Sequence, residues 1–182
     1  MKSAKTKYVI LGLLSESALS GYEIKRIIDI RFHFFWNESY GQIYPELKSL
    51  TKSGLIQSMP CESAVQGKVK HALTESGRSV LMEWLAEPVE KESVRFELLL
   101  KMYFSKELEA GIMIRHLTDF SDSHRRQLDI LEQFQRELAK IGDPAGNHKD
   151  ILQVISFGEK VYRAYLDWSA EAVAYLKGRE KT

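Results

Sequence analysis

A mainly α-helical chain carrying one small β-hairpin is predicted from three observations. Apolar residues recur at helical spacing through most of the sequence, as in Ile43, Leu47 and Leu50. Helix starts carry capping pairs, Ser20 with Glu23 and Ser39 with Gln42. Between Gly54 and Thr74 the pattern changes to two short runs, residues 55–59 and 68–73, on either side of a polar turn. Helix, glycine stop, strand, turn, strand, helix is the order of a winged helix-turn-helix. It is expected over residues 1–88, followed by a helical domain over 89–182.

The elements follow in order. A first helix is expected from Ser3 or Ala4 through the apolar run at 8–14. Residues 15–20 read as a polar turn. Ser20 then caps a second helix with Tyr22, Ile24, Ile27, Ile28 and Phe32 as its buried stripe and Lys25, Arg26 and Asp29 outward. Asn37, Glu38 and Ser39 separate it from a third helix stopped by Gly54. Pro45 implies either a late start to that helix or an irregular first turn, because proline donates no backbone bond. After the hairpin, Thr74 caps a fourth helix whose apolar side is Val80, Leu81, Trp84 and Leu85, ending at Pro88.

Beyond Pro88 the pattern is helical. Residues 94–104 space Phe96, Leu99, Leu100 and Tyr103 for burial. Met113, Leu117, Phe120, His124, Gln127, Leu131, Phe134, Leu138 and Ile141 then alternate in steps of four and three, a heptad seam in which the polar pair His124 and Gln127 can set register. Residues 142–147 break it. The last helix has one seam through Ile151, Ile155, Gly158, Tyr162, Tyr165, Ser169, Ala172 and Leu176. A second stripe runs beside it through Val154, Phe157, Val161, Trp168 and Tyr175. Two apolar stripes need two partners. The preceding helix is one. The other is the same element of a second subunit in a C2 dimer, or else the N-terminal domain of the same chain.

Bulk properties narrow the function classes. The formal net charge is +1 over 182 residues, so whole-chain electrostatics give no argument for nucleic acid, and any DNA contact must come from a local basic face. A single cysteine, Cys61, excludes an intrachain disulfide framework and fits a reducing cytoplasm. Lys2, Lys5 and Lys7 before an apolar run loosely imitate a signal peptide. Glu16 follows almost at once, and no run approaches the about 20 apolar residues that span a bilayer, so no membrane partner is expected.

The third helix offers the chemistry of a DNA reader. Gly41, Gln42, Pro45, Lys48, Ser49 and Lys52 lie opposite its apolar stripe, with Tyr40 and Tyr44 between. Glutamine can pair with adenine edges and lysine with guanine or phosphate. Gly41 lets the backbone approach a phosphate. An ordinary solvated amphipathic helix would carry similar residues; the hairpin that follows favours the DNA reading. Lys68 and Lys70 near Gly67, with His71 behind, form a basic tip suited to the minor groove or backbone, and Lys5 and Lys7 can add phosphate contacts.

Catalytic and metal chemistry find no support. His116, Asp119 and His124 are the nearest to a cluster, His33 and His148 lack ligand-spaced partners, and no cofactor motif is present. Cys61 has no evident activator. The aromatics Trp84, Phe96, Tyr103, Phe157, Tyr162, Tyr165 and Trp168 can line an effector pocket near the junction of the two domains, suited to a flat apolar ligand; plain core packing is the competing and commoner role.

These residues carry a resemblance over essentially the whole chain. Leu11-Gly12-Leu13-Leu14, Ser20-Gly21-Tyr22-Glu23-Ile24-Lys25, Phe35-Trp36, Ser39-Tyr40-Gly41-Gln42-Ile43-Tyr44-Pro45-Glu46-Leu47, Ser53-Gly54-Leu55-Ile56, Leu73-Thr74-Glu75-Ser76-Gly77-Arg78 and Trp84-Leu85 resemble the PadR family of bacterial transcriptional regulators. The tail is similar to the long helical dimerisation domain of the phenolic-acid-responsive subfamily. The resemblance implies a homodimeric winged-helix repressor. It also implies a recognition helix that tolerates Pro45 and DNA contacts at Ser39, Tyr40, Gly41, Gln42 and Tyr44. One departure stands out: where the family's second wing strand carries an Arg-Lys-x-Tyr run, this chain has Lys68-Val69-Lys70-His71. The expected function is a DNA-binding repressor released by a small aromatic or apolar effector. The alternative is a winged-helix module that docks proteins or ligands without binding an operator.

Overall fold

A computed structural model describes residues 5–59, 69–91 and 94–179, as two compact units spanning 1–90 and 91–182. It is mostly helical, with a small antiparallel sheet.

The first unit opens with α1 (Thr6–Glu16), which buries Ile10, Leu11, Leu13 and Leu14. A two-residue strand, β1 (Leu19–Ser20), precedes α2 (Gly21–Ile27), and a wider π-helical turn (Ile28–Phe32) extends that helix. The sequence marked β1 as turn, because two residues are too few to show an alternating pattern. Ser20 closes its capping box: Oγ accepts from the Glu23 backbone N–H at 3.3 Å, and Glu23 Oε2 accepts from the Ser20 N–H at 2.7 Å. Tyr22 was expected inside but is exposed. It lies about 200° around the helix from Ile24, which is in the core.

The third helix, α3 (Tyr40–Lys52), starts before Pro45 and runs through it, so the late start is excluded; proline at 45 forgoes the bond to the Gly41 carbonyl. Ile43, Leu47 and Leu50 are buried. A Schellman stop ends it: Gly54 takes φ +72°, its N–H donates to the Thr51 carbonyl at 3.2 Å, and the Leu55 N–H donates to Leu50 at 3.0 Å.

Strands β2 (Ile56–Met59) and β3 (Lys70–Leu73) pair antiparallel, Ile56 opposite Leu73 and Ser58 opposite His71. β1 pairs on the other edge of β3, Leu19 opposite His71, which gives the order β1-β3-β2. Thr74 caps α4 (Glu75–Ala86), accepting from the Gly77 N–H at 3.1 Å. Leu81 is buried, whereas Leu85, expected on the apolar side, is exposed on the last turn of the helix.

The second unit begins with α5 (Glu97–Tyr103) and a 3-10 turn at Ser105–Glu107. The helix is shorter than the 94–104 expected. Its Leu99, Leu100 and Tyr103 are exposed, because Leu98 and Met102, one turn apart, are the residues that meet the core. Two long helices follow, α6 (Ala110–Leu138) and α7 (His148–Arg179), packed along their length. Met113, Leu117, Leu131 and Leu138 of the first seam are buried; Ile141 falls beyond α6 and is exposed. Asp143 in the break accepts from the backbone N–H groups of Asn147 and His148 at 3.0 and 3.2 Å. Ile155, Gly158, Tyr162, Ser169, Ala172 and Leu176 of the last seam are buried against α6. Val154, Phe157 and Tyr175 of the second stripe are exposed on the single chain. Among the described residues no helix is long and apolar enough to cross a membrane.

Candidate nucleic-acid interface

The outward face of α3 is built from its N-cap. Glu38, immediately before the cap, is buried; its Oε1 accepts from Thr6 Oγ1 on α1 and from Trp36 Nε1, each at 2.9 Å. These bonds tie the start of α3 to α1. Ser39, Tyr40, Gly41, Gln42, Tyr44 and Lys48 are then exposed together. Tyr40 and Tyr44 are near-parallel at 6.0 Å, with the Lys25 ammonium over Tyr40 at 5.9 Å. A Cβ on Gly21 would come within 2.8 Å of the Tyr44 ring, so glycine at the start of α2 is what lets that ring lie down. A Cβ on Gly41 would meet nothing closer than Ser39 Oγ at 3.6 Å, which leaves the backbone there approachable.

A groove of about 620 Å³ runs between α2, α3 and the sheet, lined among others by Tyr22, Tyr44, Lys48, Lys52 and His71. Among the described residues its lining carries ammonium groups and aromatic faces and no carboxylate. Lys70 lies beside it and pairs with Glu23 Oε1 at 3.9 Å, so the wing strand is tethered to the start of α2. Burial pushes the His71 imidazole below its ordinary pKa, which favours its neutral form. Lys68, Gly67 and Cys61 lie outside the described residues. Lys5 is turned to other work: it pairs with Glu90 at 2.9 Å and sits 5.7 Å over the Trp84 ring, while Lys7 lies 4.5 Å over Tyr8.

The aromatic residues divide. Trp84 stacks on Tyr8 in the first unit, 4.4 Å apart and near-parallel. In the second unit Phe96, Phe120, His124, Tyr162, Tyr165 and Trp168 form one continuous ring cluster, with Phe96–Tyr165 at 5.5 Å, Phe120–Trp168 at 6.4 Å and His124–Tyr165 at 5.0 Å. The seam spacing of the sequence contains this cluster, since Phe120, His124, Tyr162 and Tyr165 all sit on it. His124 Nδ1 donates to the Phe120 carbonyl at 2.7 Å, so in the neutral ring Nε2 is the acceptor. Burial, with Tyr165 beside it, pushes the Tyr162 phenol up to about 12; burial also raises Tyr165. Tyr103 and Phe157 are exposed and stand apart; the ring contact of Tyr103 is Phe104 at 5.0 Å. No group of three or more metal-ligating side chains gathers among the described residues.

Residues 10–83 match the transcriptional regulator PadR-like family, and residues 94–177 match the virulence activator alpha C-terminal family. The negative transcriptional regulator PadR of Bacillus subtilis (strain 168) is 33% identical over 170 residues, covering 88% of this chain and 84% of that one. Bacillus subtilis PadR in complex with operator DNA superposes with a TM-score of 0.78 at 30% identity, covering 93% of this chain and 98% of that one. The same protein in complex with p-coumaric acid gives 0.75 at 28% identity, covering 96% and 99%. A winged-helix unit, a long two-helix tail and a full-length match to a regulator converge: the chain belongs to the PadR-like family of transcriptional regulators, a class of regulators and not of enzymes.

Proposed function

We propose that this protein is a homodimeric transcriptional repressor that binds a pseudo-palindromic operator and is released by a small aromatic effector. The observation that carries this reading is the α3 face: exposed Ser39, Tyr40, Gly41, Gln42, Tyr44 and Lys48 beside a groove whose described lining holds two ammoniums and no carboxylate. Lys70 and Lys68 of the wing are assigned phosphate contacts, and half-site centres are expected about 34–36 Å apart. The complexes of the Bacillus subtilis relative with operator DNA and with p-coumaric acid support both halves of the reading. The exposed stripe through Val154, Phe157 and Tyr175 supplies the dimer surface, because apolar side chains of this size on one helix face favour a partner over water.

The effector is assigned to the aromatic residues. Phe96, Tyr162 and Trp168 of the second-unit cluster supply ring faces, and His124 Nε2 offers an acceptor to a phenolic hydroxyl. Trp84, stacked on Tyr8 in the first unit, and Tyr103, exposed apart from the cluster, are not part of this assignment. Release requires that the effector bind the DNA-free state more tightly than the DNA-bound one.

The test is a mobility-shift titration with DNA from upstream of its own gene and its neighbours against scrambled DNA at two salt concentrations. A specific shift that weakens steeply with salt supports the regulator reading through counterion release. A folded dimer with no specific shift on any genomic fragment turns the assignment toward protein docking or ligand binding.

A further inference from the structure

The reading of α3 as a recognition helix leaves open how its central amide sees DNA, and the N-cap geometry answers it. Gln42 is exposed on the outward face, yet its side-chain oxygen is already engaged: Oε1 accepts from the Ser39 backbone N–H at 3.0 Å and from Ser39 Oγ at 2.9 Å. The backbone N–H can only donate, so the amide orientation is chemically forced, oxygen toward the cap and Nε2 outward. Among the described residues Nε2 has no hydrogen-bond partner. The usual recognition of adenine by glutamine needs both ends of the amide, the oxygen accepting from N6 and the nitrogen donating to N7. Here only the donor end is available.

The second capping box of the chain sharpens the point. Ser20 and Glu23 make the same bonds at α2, with a carboxylate at the reciprocal position. A carboxylate is the better cap beside a helix N-terminus. At α3 the position holds the neutral amide, which caps equally in geometry while leaving two N–H protons, and no negative charge, on the exposed face.

We infer that Gln42 is a specificity-determining donor: its Nε2 reads an acceptor-only base edge, guanine N7 and O6, and does not select adenine. This rests on α3 being the reading helix. The selectivity follows because a cap-bound amide would have to break two hydrogen bonds to rotate its oxygen outward.

The experiment uses the full-length protein and the operator it retains in the salt-controlled titration. Each guanine is replaced in turn by 7-deazaguanine and each adenine by purine lacking the N6 amino group, and wild type is compared with Gln42→Ala and Gln42→Glu. Wild type is expected to lose about tenfold in affinity at one 7-deazaguanine per half-site, a loss that both variants abolish. Gln42→Glu keeps the cap, so its melting temperature should equal or exceed wild type while the guanine sensitivity vanishes. Gln42→Ala should melt lower. If the sensitivity lost in the variants maps to an adenine N6 amino group, the oxygen leaves the cap on binding and the inference is wrong. If no position changes its sensitivity, Gln42 is a cap alone and the inference is equally wrong. Absence of any operator binding by wild type would instead overturn the recognition-helix reading, a separate outcome visible before any variant is made.

Discussion

Thr6 and Glu38 are separated by 32 positions and joined by a hydrogen bond of 2.9 Å. The carboxylate is buried, and it also accepts from the Trp36 indole. It therefore holds the first turn of α3 against α1, where a small rotation would re-aim every outward side chain. Glu38→Ala leaves a hydroxyl and an indole N–H without their acceptor. A loss of about 1–3 kcal/mol is expected. Operator affinity should fall more than that of a surface variant such as Glu46→Ala, measured by chemical denaturation and mobility shift on the same preparations.

Gly77 seats α4 on the hairpin. A Cβ there would lie 2.0 Å from the Leu55 carbonyl oxygen, which is backbone and cannot swing away. Gly77→Ala should destabilise the first unit by roughly 2–3 kcal/mol, as overpacking does. A melting temperature equal to wild type would show that the α4–hairpin junction relaxes freely.

The exposed stripe on α7 bears on assembly. Phe157 and Tyr175 are each 62% exposed on the single chain. Phe157→Arg combined with Tyr175→Arg should convert a dimer to monomer in sedimentation velocity, with helical content retained by circular dichroism. An unchanged dimer would place the interface elsewhere.

The wing histidine makes stability depend on pH. His71 is held below its ordinary pKa of 6.5 by burial, so the unfolded chain takes up its proton first. Its contribution is complete above pH 6.5 and is lost as pH falls through the folded-state value. The melting temperature should drop between pH 7.5 and 5.5, and His71→Tyr, which restores an aromatic without a titrating charge in this range, should flatten that part of the profile.

Effector binding is testable by fluorescence. A phenolic acid seated in the second-unit cluster should quench Trp168, and Tyr162→Phe with Tyr165→Leu should weaken binding about tenfold, by analogy with the measured worth of aromatic contacts. Quenching unchanged in that double variant, but abolished in Trp84→Phe, would move the site to the first unit.

Much of this protein was legible in its residues. Ser20 with Glu23, Ser39 with Gln42, Gly54 and Thr74 mark helix ends because capping is a local interaction, closed within three or four positions. The seams of α6 and α7 are legible for a similar reason, since a periodic stripe encodes its own partner face. The family could be named from its motifs alone.

What the tertiary structure decided is the set of relationships between distant positions. β1 is too short to show a pattern and exists only because β3 offers it bonds. Tyr22 leaves the core, and Leu99 and Leu100 face outward, because neighbouring elements cover one side of each helix and periodicity does not say how many sides are covered. Gln42 reads as an adenine-pairing amide by type. Only the folded N-cap, by engaging its oxygen, leaves the nitrogen as the available end. Local hydrogen bonds and periodic burial are written in order along the chain, whereas which end of a side chain remains available depends on the bonds it has already made.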